Sequence, residues 1–102
     1  MEKRRCAYNL SSLKAAFAYP ARMVRTNEAR KGAFALGMDD GAVIDVIQSL
    51  AYPGDFEKSM TAHHDSKLWQ DVYKPVYKGR RLYVKFTLNA AGRYLLISFK
   101  EA

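Results

Sequence analysis

"RRLYVKFTLNAAGRYLLISFK", residues 80–100, decides how the chain is read. Two runs of alternating apolar and polar residues, 80–88 and 93–100, flank the turn-forming "NAAG" at 89–92. That is the pattern of two antiparallel strands joined by a short loop. Setting Leu88 opposite Arg93 brings Leu82, Val84 and Phe86 against Phe99, Ile97 and Leu95 on one face. Arg81, Tyr83, Lys85 and Thr87 then oppose Lys100, Ser98, Leu96 and Tyr94 on the other. A one-residue slip would carry an apolar set to the polar side, so this register is the expectation.

Upstream of the hairpin, "FEKSMTA" (56–62) and "LWQDVYKPVY" (68–77) flank the turn-rich "HHDSK" (63–67) and form a second strand pair. Pro75 has no N–H for a ladder and limits the later strand to an edge or an early end. Tyr52-Pro53-Gly54 separates these strands from a first half with helical periodicity. In "NLSSLKAAFAY" (9–19), Ser11 or Ser12 is the expected N-cap, Leu10, Leu13 and Phe17 form one face, and Pro20 closes the helix. Thr26 caps "NEARKGAFALG" (27–37), where Gly32 counts against the helix and Gly37 stops it. "MDDGAVIDVIQSL" (38–50) is the strongest helix, capped by Asp39 or Asp40, with Val43, Ile44, Ile47 and Leu50 facing inward. The expected fold class is α+β: N-terminal helices on a C-terminal twisted antiparallel sheet, as one domain over residues 1–102.

Composition narrows the function. At 49% apolar and 13% aromatic, 102 residues can bury one core. "MEKRRCAYNL" has charge with no apolar stretch behind it, so no secretory leader is expected, and no apolar run approaches a membrane span. Cys6 is the single cysteine and cannot form an internal disulfide, which suits a reducing cytoplasm. The net charge of +7 has a location. Lys74, Lys78, Arg80, Arg81, Lys85, Arg93 and Lys100 fall within residues 72–100, which contain no Asp or Glu, so the remainder of the chain sums to zero. Such a segment attracts a polyanion, nucleic acid above all.

On the polar face of the hairpin, Tyr83 lies across from Ser98, diagonal to Lys100 and two residues from Lys85. Ammonium groups around a phenol favour the phenolate, so a lowered Tyr83 pKa is expected. Cleavage of RNA by its own 2′-OH needs a base, positive charge on the phosphate and an acid for the 5′-oxygen, and Lys, Tyr and Gln supply these without His or metal. Lys58, on a strand with Phe56 and Met60, either snorkels or is held for function. Trp69 is a core or sheet-edge residue, or a platform for base stacking. His63-His64-Asp65 reads as a turn, because neighbouring histidines on a strand point to opposite faces and no second cluster completes a zinc set. Three readings follow: a ribonuclease, a non-catalytic module binding single-stranded RNA on a basic aromatic sheet, and a docking surface for an acidic protein.

"MEKR", "VRTNEA", "FALGMDDGAVIDVIQSL", "DFEKSMT", "WQDVYKP", "LYVKFT" and "ISFKEA" occur in order over nearly the whole chain. With this spacing the sequence resembles the MqsR toxins of bacterial type II toxin–antitoxin systems. Glu57 and the added length around "FAYPARM" (17–23) depart from that pattern. The resemblance implies a RelE-like fold and metal-independent, ribosome-independent cleavage of mRNA at GCU that inhibits translation, with no cofactor. It also implies an MqsA-like antitoxin with a zinc-binding N-terminal region and a helix-turn-helix C-terminal region. The family's active-site lysine, glutamine, tyrosine and terminal lysine fall on Lys58, Gln70, Tyr83 and Lys100. Trp69, Lys74, Lys78, Arg80, Arg81 and Lys85 are the expected RNA contacts.

Overall fold

The computed structural model describes residues 1–102. A short strand β1 (Glu2–Lys3) is followed by helices α1 (Leu10–Ala16), α2 (Asn27–Ala35) and α3 (Asp40–Ser49). Strands β2 (Phe56–Thr61), β3 (Trp69–Tyr73), β4 (Val76–Tyr77), β5 (Arg80–Leu88) and β6 (Tyr94–Glu101) complete the chain. This is the expected α+β arrangement. All strand pairings are antiparallel, in the order β1–β2–β3–β5, with β5 also paired to β4 and β6.

Side-chain caps begin each helix. The α1 cap is Asn9, not Ser11 or Ser12: its Oδ1 accepts from Ser12 N at 3.0 Å. Asn serves as well as Ser at such a position, so the helix starts earlier than the serines suggest. Thr26 caps α2 through Ala29 N at 3.1 Å, and Asp39 caps α3 through Ala42 N at 2.9 Å. α1 ends at Ala16, short of Pro20, which opens a 3₁₀ turn over Pro20–Arg22. On α3 the buried set is Val43, Val46 and Ile47, joined by Leu50 just beyond the helix; Val46 takes the core position expected for Ile44.

One cluster of 14 buried residues joins helices and sheet. Leu13 and Phe17 meet Ala29 and Ala33, the α3 set, and Tyr73, Leu82, Val84, Phe86, Leu96 and Phe99 of the sheet. All three helices therefore cover one face. α2 comes closest to β6: a Cβ placed on Gly32 would collide with the carbonyl oxygen of Phe99. The glycine that weakens α2 as a helix is what lets it lie against the strand.

The final hairpin corrects the expected register. Leu88 pairs with Tyr94, not Arg93, and the loop is closed by a hydrogen bond from Asn89 N to Arg93 O at 2.8 Å. Asn89 Oδ1 accepts from Ala91 N and Arg93 N, and Gly92 takes φ +76, the left-handed third position of a three-residue loop. A second shift comes from a bulge between Lys85 and Phe86: Phe86 faces Leu96, whereas Lys85 faces Ser98. Ile97 is thus an extra residue in β6. Leu96 lies in the core instead of on the polar face, and Leu95 and Ile97 remain half-buried outside it. Beyond the bulge Val84 pairs with Phe99, and Tyr83 pairs directly with Lys100.

The other ladders are regular or broken for visible reasons. Tyr73 opposes Val84 and Val76 opposes Arg81, so β4 continues the line of β3 along β5 after the interruption at Lys74-Pro75. Lys78 and Gly79, with φ of 49 and 80, form the two-residue turn into β5. In β2 a register shift between Phe56 and Lys58 separates two residues expected on one face. Phe56 packs on the core, its ring 5.4 Å from that of Tyr73, while Lys58 pairs with Val72.

The outer sides of β2 and β6 are each covered in part. β1 pairs with β2 through Glu2–Met60 and Lys3–Ser59. Along β6, Thr26 N donates to Leu96 O at 3.0 Å and Leu96 N to Val24 O at 2.9 Å. The chain between β1 and α1 is pinned by the fully buried Asp71, whose carboxylate accepts from Ala7 N at 3.0 Å and Tyr8 N at 2.9 Å.

Gly32→Ala tests the helix–strand approach. Alanine in a helix is ordinarily favourable by about 1 kcal/mol. Here the new methyl meets backbone, and a net loss of about 1–3 kcal/mol, the usual cost of overpacking, is expected in urea denaturation. An unchanged or higher midpoint would contradict the close approach.

Candidate active site

The face of the sheet turned away from the helices carries the cations. Cross-strand pairing aligns Lys58, Val72, Lys85 and Ser98 in one row across β2, β3, β5 and β6. The next row contains Tyr83 opposite Lys100, and on the other side Met60 lies opposite Gln70. Residues directly opposite in an antiparallel pair share a face, so Lys58, Gln70, Tyr83, Lys85 and Lys100 come together as one surface. Val72 is fully buried on this outward face, between the lysines on either side of it. Their aliphatic stems can cover it while their heads stay wet.

Tyr83 is the centre of the charge. Lys100 Nζ lies 5.2 Å from its ring centroid and Lys85 Nζ 5.9 Å. The phenol is nevertheless not pushed toward its anion. Burial raises its pKa, the nearby Lys58 charge acts in the opposite sense, and Glu57 adds to the rise. The expectation of a lowered Tyr83 pKa is overturned: the ring is half-buried between strands, and desolvation outweighs the cations. At neutral pH Tyr83 is a protonated hydrogen-bond donor.

The lysines are not equivalent. Lys58 Nζ is 2.8 Å from Glu2 Oε2, and this hydrogen bond and charge raise the Lys58 pKa while lowering that of Glu2. Lys58 is an ammonium with a carboxylate partner. Lys85 is half-buried, and burial, followed by the charges of Lys100 and Lys58, lowers its pKa. Glu2 belongs to a two-residue strand, too short to show any periodicity, and sequence reasoning did not find it. Lys31 also went unnoticed: with Glu28 of α2 it borders a groove that runs past Ser98 and Lys100.

The remaining expected RNA contacts scatter. Trp69 alternates with Gln70 and faces the other way, with Lys3 Nζ 4.1 Å from its ring. Lys74 sits 4.0 Å from the Glu57 carboxylate, and Arg80 donates to Leu36 O at 3.1 Å. Lys78 occupies the β4–β5 turn, while Arg81 is exposed and alternates onto the face of Tyr83. Beside Gln70 a cavity of about 430 Å³ is lined by Leu68, Thr87, Leu95 and Ile97, with His64, Asp65 and Asn89 among its polar groups.

Comparison with known proteins adds a lineage to this geometry. Residues 5–101 match the family described as motility quorum-sensing regulator, toxin of MqsA. The chain is also 37% identical over 101 residues to the mRNA interferase toxin MqsR of Escherichia coli (strain K12), covering 99% of each chain.

Glu2→Gln removes the counter-ion of Lys58. The Lys58 side chain then titrates at lower pH than in the parent protein, which NMR of labelled lysine ε-methylenes can follow. The pair is exposed, so stability changes little. An unmoved Lys58 titration would show that Glu2 does not hold it.

Proposed function

This chain belongs to the MqsR toxin family, and from that premise we propose that it is a toxin endoribonuclease that cuts mRNA without metal or ribosome, at GCU. The observation that carries the reading is Tyr83 set directly opposite Lys100 beside a row of lysines on the uncovered face of the sheet. Transesterification at a phosphodiester needs the 2′-OH deprotonated, the non-bridging oxygens neutralised and the 5′-oxygen protonated as it leaves. Ammonium, phenol and amide groups can meet all three needs.

In this proposal Lys58, held charged by Glu2, and Lys100 neutralise the phosphate. Tyr83, kept protonated by burial, takes part in proton transfer. Gln70 orients the substrate by hydrogen bonding, next to the cavity that it lines with Leu68 and Thr87. Arg81, Lys85 and Lys74 guide the polyanion onto this face, and Lys78 and Arg80 extend the positive field along the edge. Trp69 would reach RNA only from the other face. Glu57, 4.0 Å from Lys74, tempers the field locally.

An antitoxin partner of the MqsA kind and a cytoplasmic setting belong to the same proposal. No helix is long and apolar enough to cross a membrane.

Incubation of the pure protein with a defined RNA in EDTA, followed by mapping of the ends, tests the reading. Cuts at one trinucleotide leaving 2′,3′-cyclic phosphates are expected. Tyr83→Phe should slow cleavage by about 10²–10⁴-fold, the usual share of a proton-transfer group, and Lys58→Ala by about 10²–10³-fold, that of a preorganised charge on the reacting phosphate, with circular dichroism unchanged. Tight, salt-dependent RNA binding with every transcript intact would instead identify a binding module.

A further inference from the structure

Of the side chains on the uncovered face, Lys85 occupies the middle. Val72 and Ser98 are its direct cross-strand neighbours, Lys58 shares its row two strands away, and Tyr83 is two residues along the same strand. Lys100, paired to Tyr83, is its diagonal neighbour. Rows two strands apart are separated by about 10 Å, a gap that two lysine side chains close on a bound phosphate. Lys58 has a carboxylate partner at 2.8 Å, whereas Lys85 has none among the ion pairs of the protein.

We propose that Lys85 is the general base of the cleavage reaction, acting through its neutral amine, with Tyr83 as the general acid. This rests on the nuclease reading above and assigns its proton transfers. The Lys85 amine takes the proton of the 2′-OH, the 2′-oxygen forms a bond to phosphorus, and the bond from phosphorus to the 5′-oxygen breaks. The Tyr83 phenol protonates that leaving oxygen, and the phenolate is held beside Lys100 until the proton returns from Lys85. The products are a 2′,3′-cyclic phosphate and a 5′-hydroxyl, with no co-reactant consumed.

The surroundings favour this division of labour. The charges that act on Lys85 are Lys100 of β6 and Lys58 of β2, with Tyr83 two residues along β5 and Glu57 beside Tyr83 and Lys58. Glu28 and Lys31 of α2 lie beyond Ser98. Val72 and Gln70 of β3 bring no charge, and Glu2 is engaged by Lys58. Burial and like charges lower the Lys85 pKa, while Glu2 raises that of Lys58. An amine made easier to deprotonate sits beside one kept charged. A base of this type makes the rate rise with pH until Lys85 is deprotonated, at a pH below the ordinary lysine range.

Lys85→Arg keeps the charge and removes the base, because arginine stays protonated. Single-turnover cleavage should fall about 10²–10⁴-fold, while affinity for an RNA bearing a 2′-deoxy group at the cut site is retained. In Lys85→Ala, added ethylamine or imidazole should restore part of the rate, with the rising limb of the pH profile following the pKa of the added base. Parental cleavage by the arginine variant overturns the assignment, as does loss of RNA binding in step with cleavage. If the arginine variant fails to fold, the alanine variant decides: folded protein without rescue overturns it. Should the parent protein itself leave RNA intact, the nuclease reading falls, and this inference with it.

Discussion

A single extra residue in β6 sets the chemistry of both sheet faces. Up to Leu96 the final hairpin runs in one register; continued unchanged, it would set Phe99 opposite Tyr83 and leave a phenylalanine among the lysines. Ile97 adds one residue, so Phe99 turns into the core against Val84, and Lys100 emerges opposite Tyr83. The bulged strand is held from outside by α2, whose Gly32 permits contact with the Phe99 carbonyl. Core packing, helix placement and the geometry of the outward face therefore meet at the same two or three residues. A bulge is suited to this because it re-aims side chains without ending the ladder.

What the sequence disclosed, and what it hid, follows from the range of the signals. The change of period after Tyr52-Pro53-Gly54, the caps Thr26 and Asp39, and the alternation of Leu82, Val84 and Phe86 are local patterns, and the fold class was legible in them. Register was not, since a bulge depends on which partner a strand meets and on a helix packed behind it. Leu95, Leu96 and Ile97 are all apolar, so the sequence carries no mark of which one stands out of line. At the site, four residues matched a family pattern and gather on one face, and the structure tightened Tyr83 and Lys100 from diagonal neighbours to a direct pair. Glu2 escaped notice because a strand of two residues has no period. Trp69, next to Gln70 in the sequence, lies on the opposite face, because neighbours on a strand alternate.

The electrostatics of the face also show why counting charges is a poor guide to protonation. Lysines around a phenol suggest a phenolate, yet Tyr83 is half-buried and stays protonated, since removing water costs the anion more than the cations return. The lysines also differ from one another: burial, followed by the charges of Lys100 and Lys58, lowers the Lys85 pKa, whereas Glu2 raises that of Lys58. A uniformly basic patch is thereby split into groups of different acidity. Acid–base chemistry needs such a difference, and a surface that only binds does not.

The segment from Val24 to Thr26 has a further effect through its two hydrogen bonds to Leu96. Those bonds occupy the outward N–H and C=O of β6 where another chain would otherwise add a strand, and α2 lies over the stretch that follows. At the opposite side β1 offers only two residues of free backbone. Sheet extension, the most general way for one protein to seize another, is thus closed along this stretch of β6. A partner that meets this part of the molecule must recognise it through side chains, which are individual to this sequence, rather than by adding a strand.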